Sequence, residues 1–76
     1  MNQVIRPTKK QAEILQYIRR FMRVHEYSPS YREIAADLGY SSVATVAVHI
    51  KNLIERGHLV KRDNASRSLE IVEQKR

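Results

Sequence analysis

The residues of this chain whose types and spacing could do chemistry form three groups. Ser42, Ala44, Thr45, Ala47 and Val48 combine two hydroxyls with small apolar side chains, able to exchange hydrogen bonds with polar edges and to pack against methyl groups. Ser28, Ser30, Tyr31 and Arg32, with Lys51 and Asn52 further on, are donors suited to an anion. Lys61, Arg62, Asn64, Ser66 and Arg67 form a second run of such donors. Covalent chemistry is not expected of any of them. Ser41 and Ser42 stand near no obvious general base, so a helix cap is their plain role. His25, His49 and His58 lack clustered ligand spacing, and the absence of Cys excludes a thiolate zinc site and a disulfide framework. The expectation is a binding protein with no enzyme activity, no metal, no cofactor and no small-molecule ligand.

Charge points to the kind of partner. Fourteen Lys and Arg against eight Asp and Glu give a formal charge of +6, which favours an anionic partner such as nucleic acid, although a small basic domain does not require one. The opening "MNQVIRPTKK" has no apolar core, and no apolar run approaches the ~20 residues that span a bilayer. A cytoplasmic protein of bacterial, archaeal or mobile-element origin, with no membrane partner, is expected. Seventy-six residues suffice for one domain, 1–76, with its ordered core at about 8–72. Any catalytic or sensing domain would need a partner chain.

The elements that must position these groups are punctuated clearly. Thr8 and Gln11 have the spacing of a capping box just after Pro7. The stripe Ile14, Leu15, Ile18, Phe21, Met22 and Val24 or His25 then predicts a helix running to about residue 25, with Lys10, Arg19, Arg20 and Arg23 on its other face. "EYSPS" ends it, because Pro29 disfavours helix at Ser28. Ser30 and Glu33 make a second capping box for a short helix from Tyr31 to Leu38, and Gly39 suits its left-handed C-cap. Ser41 or Ser42 can cap a third helix, about Val43 to Arg56, closed by Gly57. The period then changes: "HLVKR" and "SLEIV" read as strands of a hairpin, with Leu59, Leu69 and Ile71 on its buried face and the polar "DNASR" between. The fold class is mainly α with a small β-hairpin, a winged helix-turn-helix of three helices and a two-stranded wing.

"TKKQAEILQYI", "SPSYREIAADLG", "SSVATVAVHIKNLIERGHL" and "ASRSLEI", in this order and spacing, resemble the N-terminal DNA-binding domain of LexA-type repressors of the bacterial SOS response. They match that family's opening helix, Pro-containing turn and second helix, recognition helix and wing. The resemblance implies a winged helix that docks its third helix in the major groove of operator DNA, and a repressor that acts by occupying a promoter. LexA repressors continue into a self-cleaving Ser/Lys domain that also dimerises them. Neither an Ala-Gly cleavage dipeptide nor the length for a peptidase fold is present here, so self-cleavage is not carried over.

Geometry at 100° per residue sorts the third helix. Val46, Ile50 and Leu53, with Val43 and Ile54 beside them, should pack inward. Ala44, Thr45, Ala47, Val48, Lys51 and Asn52 are then outward or flanking, and Ser42 sits where a recognition helix meets base edges. This face has no Arg or Gln, so the bidentate reading of guanine or adenine is scarce. Thymine methyl contacts from Ala44, Thr45, Ala47 and Val48, with hydroxyl contacts from Ser42 and Thr45, would be its code. His49 is expected at the rim, bonding a phosphate or simply solvated.

Phosphates would be met by Ser28, Ser30, Tyr31 and Arg32 at the start of the second helix, by Lys51 and Asn52, and by Lys61, Arg62, Asn64, Ser66 and Arg67 on the wing. The expected partner is double-stranded DNA with a palindromic operator. One module of this size would bury only ~600–1,000 Å² there, which suggests a homodimer on DNA. Two other readings fit the same residues. One is a winged-helix module that docks on a polymerase or a larger repressor through its apolar Ala-Thr-Ala-Val face. The other is a non-specific nucleic-acid binder, of DNA or RNA.

Overall fold

Thr8 opens the first helix, α1 (Lys9–His25), by accepting the Gln11 N–H at 3.2 Å, while the Gln11 side chain accepts the Thr8 N–H at 3.1 Å. The computed structural model describes residues 5–63 and 67–73. α1 is stopped earlier than Pro29 would require. Glu26 turns left-handed at φ 66° and its N–H closes on Met22, which ends the helix three residues before the proline. The second capping box is present too, with Ser30 and Glu33 exchanging bonds of 3.1 and 2.9 Å at the start of α2 (Tyr31–Leu38). Gly39, at φ 79°, ends α2 in the left-handed conformation that a side chain would disfavour. Ser42 rather than Ser41 caps α3 (Val43–Glu55), and Gly57 at φ 89° lets the chain reverse so that the His58 N–H returns to the Leu53 carbonyl at 2.9 Å.

The core lies where α1 and α2 pack on α3 and the hairpin closes over its end. Ile14, Ile18, Ile34, Val46, Ile50, Leu53 and Leu59 are fully buried or nearly so, and Leu15, Phe21, Met22, Leu38, Ile54 and Ile71 pack partly buried around them. Two residues of the expected stripes lie elsewhere. Val24 is 73% exposed, because position 24 turns off the line through Ile14, Ile18 and Phe21; the His25 ring continues that line, 4.2 Å from the Phe21 ring. Val43, the first residue of α3, is 41% exposed. Gln11 and Tyr17 are buried instead, the first accepting the Thr8 N–H in the capping box and the second donating its hydroxyl to Asp37 at 2.5 Å.

The hairpin pairs β1 (Leu59–Lys61) with β2 (Leu69–Ile71) antiparallel, Leu59 opposite Ile71 and Lys61 opposite Leu69. Alternation puts Leu59 and Leu69 in the core while Val60 and Glu70 face out. The Ile5 carbonyl meets the buried His58 ring at 2.8 Å, and Arg56 donates to the Arg6 carbonyl at 2.7 Å. The segment before α1 is thereby tied to the end of α3 and the start of the wing. No helix among the described residues is long and apolar enough to cross a membrane.

Candidate nucleic-acid interface

Burial of Val46, Ile50 and Leu53 fixes the rotation of α3 and so determines what it presents outward. Ala44, Thr45, Val48 and Lys51 are exposed along one face, Val48 to 58%, while Ala47 and Asn52 are half-buried at its edges. Ser42 stands at the N-terminal end of this face, where its hydroxyl accepts the Ala44 N–H at 3.0 Å and keeps its own proton available. Exposed hydroxyl, methyl and isopropyl groups thus line a helix whose opposite face is locked in the core.

His49 is a half-exposed residue with one side turned to the protein. Its ring is half-buried against Tyr40, with centroids 5.8 Å apart, and its Nδ1 is buried with no hydrogen-bond partner among the described residues. The ring packs the corner between α2 and α3, a role that helical periodicity alone does not reveal because Tyr40 belongs to the turn.

The wing and the start of α2 form one continuous surface. Lys61 lies over the Tyr31 ring at 5.3 Å. Arg32 is exposed and, among the described residues, unpaired; Ser30 is half-buried and occupied with its cap. Ser28, expected at the surface, is 2% exposed, and its hydroxyl accepts the Leu69 N–H at 3.3 Å. It is a buried link between turn and wing, out of reach of a phosphate in this arrangement. Arg62 crosses the hairpin to Glu70 at 2.8 Å, which holds the Glu70 carboxyl below its ordinary pKa and raises that of the guanidinium.

Arg67 is engaged most fully. Its guanidinium donates to the Ser28 carbonyl at 3.1 Å and to the Glu33 carboxylate at 2.9 Å, and it covers the Tyr27 ring at 4.7 Å. The Arg67 hydrogen bond first, and the capping bond to Ser30 second, hold Glu33 below its ordinary pKa. Sequence reasoning placed Arg67 in a free basic cluster and overlooked Tyr27 and Glu33 as its partners. Asn64 and Ser66 lie outside the described residues. On α1, Arg19 is paired with Glu73 at 3.2 Å across a half-exposed surface. No cluster of residues that could hold a metal ion is found among the described residues.

Two helices meeting at a short turn, a third helix behind them and a two-stranded wing define a winged helix-turn-helix protein. The LexA DNA binding domain family model matches residues 6–68. The chain belongs to that family. It is 46% identical over 69 residues to the LexA repressor of Koribacter versatilis (strain Ellin345), covering 90% of this chain and 32% of that protein. Its identity to the LexA repressor of Limosilactobacillus fermentum is 42% over 64 residues, covering 84% of this chain and 31% of the relative. For the LexA repressor of Herpetosiphon aurantiacus the figure is 34% over 65 residues, 86% of this chain and 30% of the relative. The chain therefore spans about a third of the length of these curated relatives. What it shares with them is the DNA-binding domain, a binding module rather than a catalytic one.

Proposed function

We propose that this protein is a sequence-specific double-stranded DNA-binding regulator of the cytoplasm that represses transcription by occupying an operator, with α3 laid in the major groove. The observation that carries this reading is the exposed line of Ala44, Thr45 and Val48 on a helix held rigidly by Val46, Ile50 and Leu53. These side chains match thymine methyl groups, with the Thr45 and Ser42 hydroxyls for polar base edges. Arg32, Lys51 and Lys61 are exposed cations that can neutralise phosphates on either side. Repression rather than activation is the role of the named relatives, which are repressors. Two copies on a palindrome supply the contact area that one module lacks.

The test is selection from a random duplex library at about 150 mM salt, then affinity against salt for the selected and a scrambled sequence. A palindromic or T-rich motif preferred by at least ~10³-fold supports the specific regulator. Binding that vanishes with salt and prefers no sequence leaves a non-specific binder. No duplex binding at all turns attention to a protein partner for the Val48 face. Sedimentation equilibrium with the selected duplex is expected to yield a 2:1 complex; 1:1 species alone would remove the homodimer.

A further inference from the structure

One carboxylate serves two elements. Glu33 Oε1 accepts the Ser30 N–H that opens α2, at 2.9 Å, while Oε2 accepts the Arg67 guanidinium from the wing, also at 2.9 Å. Around this pair the same two segments meet three more times: Arg67 donates to the Ser28 carbonyl, Leu69 N–H to the Ser28 hydroxyl, and Lys61 covers Tyr31. Arg67 also holds a left-handed backbone, φ 64°, unusual for a residue with a side chain. Such a conformation persists where surrounding contacts determine it, and the guanidinium bonds to Ser28 and Glu33 are among the contacts this residue makes.

A DNA-gripping arginine needs its guanidinium free to face the phosphate, whereas both terminal nitrogens of Arg67 already donate within the protein, to Ser28 and Glu33, and its plane lies over Tyr27, although the side chain stays partly exposed. We propose that Arg67 is a positioning residue: through Glu33 and Ser28 it clasps the wing to the first turn of α2, setting the angle at which the wing meets DNA. Phosphate neutralisation is left to exposed neighbours such as Lys61 and Arg32. This rests on the DNA-binding reading above for its consequence, but the clasp itself is a property of the free protein. Helix-turn and wing then approach the duplex as one preformed body, so that order is present before binding rather than imposed by it.

The test compares the parent chain with Glu33→Gln, Arg67→Ala, the double variant and Lys61→Ala. Gln at position 33 can still accept the Ser30 N–H, so it keeps the cap while removing the charge that Arg67 meets. In the free protein, amide exchange at Leu69 is expected to accelerate in both single variants and to accelerate no further in the double. On the selected duplex, both single variants are expected to bind about 5- to 10-fold more weakly with the parent salt slope, because no phosphate contact is lost. Lys61→Ala is expected to reduce the slope by about one phosphate's worth.

Simple electrostatics predicts the opposite sign for Glu33→Gln, since removing a negative charge near DNA should strengthen binding. Tighter or parental binding by Glu33→Gln, together with a reduced slope for Arg67→Ala, would overturn the proposal in favour of a direct phosphate contact. Should the parent prefer no duplex, the DNA reading fails independently. Amide exchange then decides the clasp: unchanged Leu69 protection in both variants overturns it, and faster exchange sustains it.

Discussion

At the scale of single residues, what matters is which atoms remain free once the fold has used the others. Thr45 is exposed on α3 and its side chain is needed by no buried contact, so a charge there should leave folding intact. Thr45→Glu is expected to lower affinity for the selected duplex by at least ~100-fold by setting a carboxylate against base acceptors and phosphates, with a thermal midpoint no lower than the parent's, because Glu at the third position of α3 completes a capping box with Ser42. Fluorescence anisotropy and circular dichroism check the two halves. Tyr17 is the converse case, a residue already spent on structure. Desolvation first, and the bond to Asp37 second, push its pKa upward from 10.0. The folded state therefore keeps the phenolic proton longer than the unfolded chain, so the associated stability is intact below about pH 10 and declines as pH rises beyond it. Tyr17→Phe is expected to cost about 1 kcal/mol at neutral pH and to flatten the alkaline decline, measured by urea unfolding at pH 8 and 10.5.

At the scale of elements, charge pairs join what the backbone leaves separate and reinforce what it already pairs. Arg67 with Glu33 links wing to α2, and Arg62 with Glu70 links the two strands. Both carboxyls sit below their ordinary pKa of 4.5, each with its arginine as the first cause. A carboxyl with a lowered folded pKa stabilises fully above 4.5 and loses that contribution as pH falls through its folded value. Acid titration from pH 6 to pH 2 is accordingly expected to loosen the wing. Leu69 exchange, corrected for intrinsic acid dependence, should report it, and Arg67→Ala should show a weaker change over the same range. An equal change in the variant would mean that the Glu33 pair does not hold the strand.

At the scale of the whole molecule, the outward face of α3 is presented only because one small core holds three helices at once. Ile50 is fully buried between them. Ile50→Ala is expected to remove about 2–5 kcal/mol out of the roughly 4–11 kcal/mol that a domain of this size possesses. Equilibrium urea unfolding should show the midpoint falling with little change in slope. Duplex affinity should fall only by the unfolded fraction, and recover under conditions that restore folding. A direct loss of affinity in the folded variant would mean that packing also tunes the outward face.

What the sequence determined by itself was local. Thr8 with Gln11, Ser30 with Glu33, and Gly39 with Gly57 announce where helices begin and end because a cap is physics acting across three or four residues, and the bounds of α2 follow from its two ends. The buried stripe of α3 was equally legible, since 3.6-residue periodicity needs no knowledge of the partner surface. Only tertiary structure decided that His49 packs on Tyr40 and that Ser28 lies inside. It also decided that Arg67, at the surface, is paired with Glu33. Those pairings join positions 34 and 41 residues apart, in Arg67 with Glu33 and Leu69 with Ser28. Residue type and spacing mark an arginine on a wing as a cation, but which anion it meets depends on where the chain returns in space.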